Sequence, residues 1–400
     1  MVKTILYFGF IASEDVLADA FSQEPAPQVS AAKFQKSLIA GFVSHDISMA
    51  AVSALPIASY PRSRIFHQPG RSFSIFNGAV AGTLLGGLNL PVIKLVTRFV
   101  KAAFHGVRAP AGRPDVIVVY SLHTPFLLAA ALAKKRWNAP AVVVIPDLPM
   151  HMHGKPPTGL HGLLKKMDDA LLNRLVRSFD LAVPFAKAIS DDWLPAGMPY
   201  EVVEGLVATP DIPVERTTSV PAATGGLPRL MYTGSFTQVA RFATLFAEAK
   251  DISAELIFVG DGADAEELKR LSAADARIKV IPFLPEGELA AMIATADFLI
   301  NPRDARWEGG RYSFPSKLFD YVTRGKPVIS TRLPGIDDAY FDHFLPLDDT
   351  DASTVSASLK TILDLDAPTL MDRVRETGKF CAARNSPHGT VARILEKLPK

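Results

Sequence analysis

Cysteine is almost absent from this sequence, since Cys381 is the only one among 400 residues. A single thiol excludes any disulfide within the chain, and no group of histidines and cysteine has the spacing of zinc ligands. Long membrane-spanning runs are missing too. Residues 72–93 carry no charge, but their glycines, asparagines and Pro91 make a poor bilayer helix. These absences favour a cytoplasmic protein without a metal site.

Acidic residues are missing from residues 47–114, although eight Lys and Arg lie in that stretch. The sequence predicts a helix over residues 92–104, with Lys94, Arg98 and Lys101 opposite an apolar face. A basic amphipathic helix of this kind is typical of peripheral contact with an anionic membrane. An ordinary helix packed on a sheet, with a solvated basic face, would have the same pattern. Both interpretations stay open at this point.

Length and composition predict two α/β domains. Four hundred residues are too many for one ordinary core, and a charged fraction of 21% is too low for a disordered or coiled-coil protein. Buried strands alternate with helices in both halves, which is the pattern of Rossmann-like domains. We predict an N-terminal domain over 1–210, a proline-rich and glycine-rich linker over 211–228 and a C-terminal domain over 229–375. A last helical segment is predicted within 376–400.

The most informative stretch is residues 296–330, which predicts a strand, a polar loop, a helix and a second strand. The helix can begin at Pro315 and end at Gly325. Its N-terminus would offer free N–H groups and a partial positive charge to a diphosphate, and Lys317 in the first turn adds a full charge. Asp320 is placed to accept hydrogen bonds from two ribose hydroxyls. Alternatively, Lys317 and Asp320 form only an exposed i,i+3 pair.

Polar residues also follow other predicted strands, at the sheet edge where open α/β sheets bind ligands. In the first domain these are His123 and Asp147, although His123 could equally be an N-terminal residue of the next helix. In the second domain Gly234 and Ser235 follow a strand and Arg241 begins a helix. A glycine there permits close approach of a phosphate, which an arginine can bind with two hydrogen bonds.

Several motifs together resemble a known family. They are Arg303 after Asn-Pro, the run YSFPSK at 312–317, Asp320 with Tyr321, GKPV at 325–328 and LPGI at 333–336. This pattern is similar to the donor-binding region of family 4 glycosyltransferases, of the type that builds bacterial exopolysaccharide, capsule or lipopolysaccharide. The wider family has two glutamates eight positions apart. Here Tyr312 and Asp320 occupy those positions.

The resemblance implies the GT-B fold, with two facing Rossmann-like domains and an interdomain cleft. It also implies that the last helix, within 376–400, crosses back to the first domain. It implies transfer of a sugar from a UDP- or GDP-linked donor to a saccharide or lipid-linked acceptor, with retention and without a metal, cofactor or nucleic acid. Catalytic roles would fall to Asp147, His123, Arg241 and Lys317. The donor would be bound by Gly234, Ser235, Tyr312, Ser313, Phe314, Pro315, Ser316, Lys317, Asp320 and Phe283, the last of these near the nucleobase.

Two other function classes fit the same residues. A nucleotide-sugar epimerase or hydrolase could use the same donor site, and incubation with donor alone would distinguish it from a transferase. A catalytically inactive carbohydrate-binding subunit is the other alternative, suggested by Tyr312 at a glutamate position and by the weak Gly-Ser turn at 234–235. Retained nucleotide binding without turnover would indicate such a subunit. The expected location is cytoplasmic, with peripheral contact to the inner face of the membrane through residues 47–114.

Overall fold

The protein, described by a computed structural model over residues 2–24, 27–108, 112–148, 159–207 and 226–399, divides into two compact units. One is formed by Met1–Leu206 with Asn385–Lys400, and the other by Val207–Arg384. The boundary therefore falls slightly before the predicted end of the first domain at 210, because Val207 packs in the core of the second unit. Of the predicted linker, residues 211–225 lie outside the described residues.

The first unit is built on a seven-stranded sheet with the order β4-β5-β2-β1-β7-β8-β9. Neighbouring strands are parallel except for the antiparallel pair β4 and β5. The strands are β1 (Thr4–Gly9), β2 (Ser48–Ser53), β4 (Arg71–Ile75), β5 (Val80–Leu84), β7 (Val116–Tyr120), β8 (Ala141–Ile145) and β9 (Leu181–Pro184), with β3 (His67–Gln68) and β6 (Gly87–Leu88) forming a separate small sheet. Strands β7 and β8 are buried along their whole lengths, as their uninterrupted apolar sequences predict.

The helices of the first unit include the last helix of the chain. They are α1 (Glu14–Ser22), α2 (Val29–Val43), α3 (Pro91–Arg108), α4 (Thr124–Trp137), α5 (Gly159–Val176), α6 (Lys187–Asp192) and α13 (Pro387–Glu396). Helix α13 packs on α2, where Gly41 lies so close to Pro387 that a Cβ would overlap its carbonyl group. The rings of His45 and His388 stack with centroids 3.9 Å apart. Residues 385–400 are thereby part of the first unit.

The second unit has a six-stranded sheet in which each pair of neighbouring strands is parallel, with the order β12-β11-β10-β13-β14-β15. Its strands are β10 (Arg229–Ser235), β11 (Glu255–Asp261), β12 (Ile278–Ile281), β13 (Phe298–Asn301), β14 (Val328–Thr331) and β15 (Leu345–Leu347). Alternate residues of β10 enter two different cores, Leu230 and Tyr232 on one face and Met231 on the other. Both faces of this sheet are therefore covered.

Helices α7 (Ala240–Glu248), α8 (Ala265–Ala274), α9 (Glu286–Ala294), α10 (Lys317–Thr323), α11 (Ala352–Leu363) and α12 (Ala367–Asn385) complete the second unit. The strand order is that of a Rossmann sheet, and the first unit has the same order apart from its extra edge strand β4. In such sheets the order reverses between the first and fourth strands, and ligands bind beyond the carboxyl ends of those strands. The reversal lies between β10 and β13 here, and between β1 and β7 in the first unit.

Helix α3 is oriented opposite to the interpretation of a helix packed on the sheet with a solvated basic face, and contact of this helix with a membrane stays a prediction. Lys94 and Arg98 are buried, whereas six of the large apolar residues of the helix are exposed. The physical reason is that Lys94 Nζ donates to the Ile57 carbonyl at 2.6 Å and Arg98 donates to the Leu55 carbonyl at 2.7 Å, just beyond the end of β2. Both carbonyl groups belong to buried residues that follow the last residue of β2, Ser53, and their hydrogen bonds to the two cations hold the polar side of the helix inward.

Candidate functional site

The carboxyl end of β10 brings together two of the predicted donor-binding residues. Gly234 has a φ of +135°, and a Cβ added there would lie 2.8 Å from Cε of Lys317. A side chain at position 234 would therefore be strained in its backbone and would displace the lysine. The glycine lets the Lys317 side chain run across the end of the strand, at the point where the strand order reverses. Ser235 is exposed there, and its hydroxyl lies 3.0 Å from that of Thr237.

Helix α10 is shorter than predicted but ends as predicted. A single turn in which Leu318 donates to the Pro315 carbonyl comes first, and the α-helix spans Lys317–Thr323. Gly325 follows it with a φ of +64°, the left-handed conformation that glycine favours after a helix. The buried Tyr321 hydroxyl accepts a hydrogen bond from the Thr233 N–H at 2.9 Å, which ties the helix to β10. Burial raises the pKa of Tyr321, so the phenol stays neutral.

Asp320 is half-buried in the first turn of α10. Within the part of the chain that the structure describes, its carboxylate makes no hydrogen bond or ion pair. The predicted i,i+3 pair with Lys317 is therefore not formed at ion-pair distance among the described residues. Both oxygens of Asp320 are available to accept hydrogen bonds from a ligand, as the predicted ribose contact requires.

The loop before α10 mixes residues that face solvent with residues that hold the loop in place. Phe314 is buried, and its ring stacks on Phe319 with centroids 4.9 Å apart. Its predicted role in donor binding can thus involve only its backbone. Pro315 is buried as well, whereas Tyr312 and Ser313 are half-buried and Ser316 is exposed. Gly335 fits closely against the carbonyl groups of this loop, where a Cβ would overlap the carbonyl oxygens of Gly310 and Ser313.

Arg241 lies in a buried ion-pair network. Its guanidinium donates to the Asp349 carboxylate at 2.8 Å and to the Thr350 carbonyl at 2.7 Å, and it lies 3.8 Å from Asp304. Only 18% of the Arg241 side chain and 8% of the Asp349 side chain are exposed. Burial raises the pKa of Asp349 despite the neighbouring guanidinium. Because its donors already serve these partners, contact of Arg241 with a diphosphate stays a prediction.

The polar residues that shape the end of β13 were not predicted from the sequence. The buried Asn301 side chain donates to the Ser330 hydroxyl at 3.0 Å, and Thr331 donates to the Arg303 carbonyl at 2.6 Å. The Arg303 guanidinium lies against the Tyr232 phenol and partly offsets the rise in pKa that burial causes there. From sequence, Arg303 is only one element of a motif. Arg303 follows β13, which is one of the two strands between which the strand order reverses. Ligands bind beyond the carboxyl ends of those strands, so this position could identify Arg303 as a site residue.

Phe283 lies on the far side of the same sheet edge, after β12. It is 79% exposed, which is unusual for so large an apolar side chain. Its ring is available to stack on a planar group such as a nucleobase, which is the predicted role.

In the first unit, His123 and Asp147 follow the adjacent strands β7 and β8. The His123 ring lies between those of Phe10 and Phe126, with centroid distances of 5.2 and 4.9 Å, and its buried Nε2 has no hydrogen-bond partner within the described residues. Burial, reinforced by the charges of Arg98 and Lys94, lowers the pKa of His123 to about 3. His123 is therefore a neutral imidazole at physiological pH.

Asp147 is half-buried beyond the end of β8. Its charge adds to burial in raising the pKa of Tyr120, so the carboxylate lies near that phenol. His123 also contributes to α4 as its N-terminal capping residue, although its side chain makes no capping hydrogen bond. The structural role that the sequence left open for His123 is thus real, and the catalytic role stays a prediction.

Because the folded-state pKa of His123 lies below its unfolded value near 6.5, the folded protein resists protonation. The contribution of the neutral His123 to the free energy of unfolding is fully present above pH 6.5 and is lost as the pH drops toward 3. We expect His123→Phe, which keeps the ring and cannot titrate, to reduce the loss of stability between pH 8 and pH 5 by about 2 kcal/mol. Denaturant unfolding in a Trp307→Phe background would follow Trp137 and Trp193, both in the first unit. If the free energy of unfolding depends on pH in the same way with and without His123, the lowered pKa of His123 is refuted.

Neither a metal cluster nor a membrane-spanning helix occurs within the residues that the structure describes. No group of three or more His, Cys, Asp or Glu side chains is arranged there to hold a metal ion. No helix of that part combines the length and the apolar character that crossing a bilayer needs.

Comparisons with known proteins agree with this geometry. Residues 227–364 match the family described as Glycosyl transferases group 1, and a search of curated protein sequences found no match. A trehalose-6-phosphate structure from E. coli bound with UDP-2-fluoro glucose is similar, with a TM-score of 0.67, 10% identity and 99% of each chain covered. The lipopolysaccharide outer core galactosyltransferase WaaB has a TM-score of 0.61 at 14% identity, covering 99% of this chain and 100% of that one. Sucrose-phosphate synthase from Thermosynechococcus elongatus has a TM-score of 0.64 at 12% identity, with 98% of each chain covered.

The two Rossmann-like units and these structural neighbours define the GT-B fold, and the predicted fold class is confirmed. The group 1 match covers most of the second unit, including the site around Gly234 and Lys317, and together with the fold it supports a glycosyltransferase. The narrower resemblance, to family 4 enzymes of surface polysaccharide synthesis, is not tested by these comparisons and stays a prediction.

Proposed function

We propose that the protein transfers a sugar from a UDP- or GDP-linked donor to a saccharide or lipid-linked acceptor in the assembly of a surface polysaccharide. The group 1 match supports the transfer chemistry. One structural neighbour is bound with UDP-2-fluoro glucose, and another is a lipopolysaccharide galactosyltransferase. Retention of configuration at the transferred sugar and independence from a metal are further parts of the proposal.

The observation that carries the proposal is the position of Lys317. Its side chain crosses Gly234 at the carboxyl end of β10, beside the point of strand reversal where Rossmann sheets bind nucleotides. A diphosphate leaving group gains negative charge as the glycosidic bond to the donor sugar breaks. A lysine fixed beside it stabilises that charge in the transition state, and such preorganised electrostatic stabilisation can replace a metal ion. Arg303, at the neighbouring strand end, is a second cation for the same task.

The remaining donor contacts follow from the same edge of the sheet. Asp320, without a partner among the described residues, is assigned to the ribose hydroxyls, and the exposed Phe283 ring to the nucleobase. In the first unit we assign Asp147 and His123 to the reacting sugars. With a pKa of about 3, His123 acts there as a neutral hydrogen-bonding group and not as a cation.

A thermal-shift screen of nucleotides and nucleotide sugars tests this function directly. A ligand at 100 times its dissociation constant stabilises the folded protein by about 2.7 kcal/mol, which gives a measurable shift. UDP- or GDP-sugars should raise the melting temperature, and incubation of the binding donor alone should leave most of it intact. Rapid consumption of donor without acceptor would indicate a hydrolase or epimerase. No shift with any nucleotide would overturn the proposal.

Asp320→Asn should separate the ribose contact from a general effect on folding. The substitution keeps the size and removes the charge, so affinity for a ribonucleoside diphosphate should fall about tenfold, as for a lost charged hydrogen bond. The 2′-deoxy analogue should lose much less, because it lacks one of the two hydroxyls. Isothermal titration of both ligands measures the difference. Equal losses for the two ligands would show that Asp320 acts only through the fold.

A further inference from the structure

Helix α3 presents a continuous apolar surface to solvent. Six of its large apolar side chains are between 44% and 72% exposed, and they are Val92, Ile93, Leu95, Val96, Val100 and Phe104. We call these six residues the α3 apolar face. Single exposed apolar residues are ordinary on protein surfaces, but so many along one helix mark an interaction surface.

The outward orientation of this face is built into the first unit. Lys94 and Arg98 are hydrogen-bonded to backbone carbonyl groups on the buried side of the helix. Near the other end of α3, Gly106 packs against Phe8 and accepts a hydrogen bond from the Trp137 indole N–H at 2.8 Å. Rotating the helix to bury its apolar face would break all of these contacts. The α3 apolar face is therefore a fixed surface of the folded unit.

A second exposed apolar group lies beside the start of α3. The rings of Tyr60 and Phe66 are 41% and 48% exposed and meet edge to face, with centroids 5.3 Å apart. The backbone of Asn89, just before the helix, is hydrogen-bonded to both residues. Its carbonyl accepts from the Tyr60 N–H and its N–H donates to the Phe66 carbonyl, each at 2.8 Å. Exposed Tyr and Phe beside an apolar helix are typical of proteins that bind at a membrane interface.

The charged side chains that residues 47–114 contribute to this surface are all positive. The Arg108 guanidinium lies 3.9 Å from the centroid of the Phe104 ring, and Lys101, Arg62 and Arg64 are exposed. No acidic residue occurs between 47 and 114, and the Glu24 carboxylate, which reaches this region from just after α1, accepts a hydrogen bond from the Ala58 N–H at 2.9 Å. A second copy of this chain would bring its own cations to a two-fold contact, where they would repel. Anionic lipid headgroups complement both the cations and the apolar residues that they surround.

We propose that the α3 apolar face, together with Tyr60 and Phe66, inserts into the headgroup region of an anionic membrane. A helix of 18 residues is about 27 Å long and can lie in the plane of the interface. The exposed cations contact the headgroups, while Lys94 and Arg98 stay inside the protein. The inference deepens the lipid-linked part of the proposed function by naming the surface that meets the lipid, and it does not depend on nucleotide binding.

The test is co-sedimentation with vesicles of phosphatidylcholine, alone and mixed with phosphatidylglycerol. The native chain should bind the mixed vesicles and bind phosphatidylcholine weakly. The double variant Val96→Gln, Val100→Gln, at two positions more than half exposed, adds no charge and should bind at least about tenfold more weakly. Val29→Gln replaces an exposed valine on α2 and should bind as the native chain does. Equal vesicle binding by the native chain and the double variant would overturn the proposal.

Two further measurements distinguish a lipid-binding surface from a dimer contact and from an effect on the nucleotide site. Light scattering without lipid would show whether the native chain forms a dimer that the double variant does not. Such a dimer, with no binding to either vesicle, would assign the surface to a second copy and overturn the lipid assignment. The nucleotide thermal shift of the double variant should equal that of the native chain. A failure of nucleotides to bind either chain would refute the proposed function and leave the vesicle result intact.

Discussion

Replacing Lys317 with methionine should weaken nucleoside diphosphate binding by about 1.5–3 kcal/mol, which is roughly a tenfold to 150-fold loss. Methionine keeps the apolar part of the side chain over Gly234 and removes only the charge, so the packing at the end of β10 is preserved. Isothermal titration with UDP and GDP measures the affinity. Turnover should fall further than binding, because the charge that develops on the leaving group is larger in the transition state.

The control for Lys317 lies on the same helix. Arg324 is exposed at the C-terminal cap of α10, about 10 Å from Lys317 along the helix axis, so Arg324→Met removes an equal charge at the other end of the helix. Its nucleotide affinity should stay within about twofold of the native value, as expected of a distant exposed charge. If the two variants lose affinity equally, Lys317 acts only through the general charge of the unit.

Arg241→Met should destabilise the second unit by roughly 3 kcal/mol, because it leaves the buried Asp349 carboxylate without its main counter-charge. Denaturant unfolding followed by Trp307 fluorescence, with Trp137 and Trp193 replaced by phenylalanine, reports on this unit. Arg306→Met is the matched control. Arg306 also pairs with Asp304 but is 67% exposed, so its loss should cost less than about 1 kcal/mol.

A double variant then decides whether Arg241 has the predicted role in diphosphate binding. Combining Arg241→Met with Asp349→Asn removes the unpaired charge and should recover most of the lost stability, since the asparagine still accepts the hydrogen bond from the Ala305 N–H. Nucleotide affinity measured on this restored background is free of the stability effect. Affinity close to native would make Arg241 a structural residue, and a tenfold loss would place it at the diphosphate.

In the second unit, local sequence patterns predicted the secondary structure but not the side-chain contacts. The apolar runs of β13 and β14, the proline before α10 and the glycine after it were sufficient to predict a strand, a loop, a helix and a strand. The side-chain contacts of that loop were not predictable in the same way. Phe314 resembles a ligand contact because it stands within the motif, yet it packs on Phe319 and Tyr340. Position in a motif does not say which side chains support the loop.

Two charged residues show more clearly what local sequence patterns cannot predict. Arg241 and Lys317 are equivalent from sequence, since each is a cation in the first turn of a helix that follows a strand edge. The structure distinguishes them because Asp349, which is 108 residues away from Arg241 in the chain, occupies its guanidinium. Such long-range pairs depend on how the strands are ordered in the sheet, and no local pattern encodes them.

The sequence by itself determined that this protein has two α/β domains of Rossmann type and that residues 92–104 form a two-sided helix. Periodicity along the chain specifies both features, because buried strands and amphipathic helices each have a characteristic repeat. Only the tertiary structure decided which side of that helix faces the protein. The carbonyl groups of Leu55 and Ile57 lie where Lys94 and Arg98 can reach them, and satisfying buried backbone groups outweighed the burial of the apolar side.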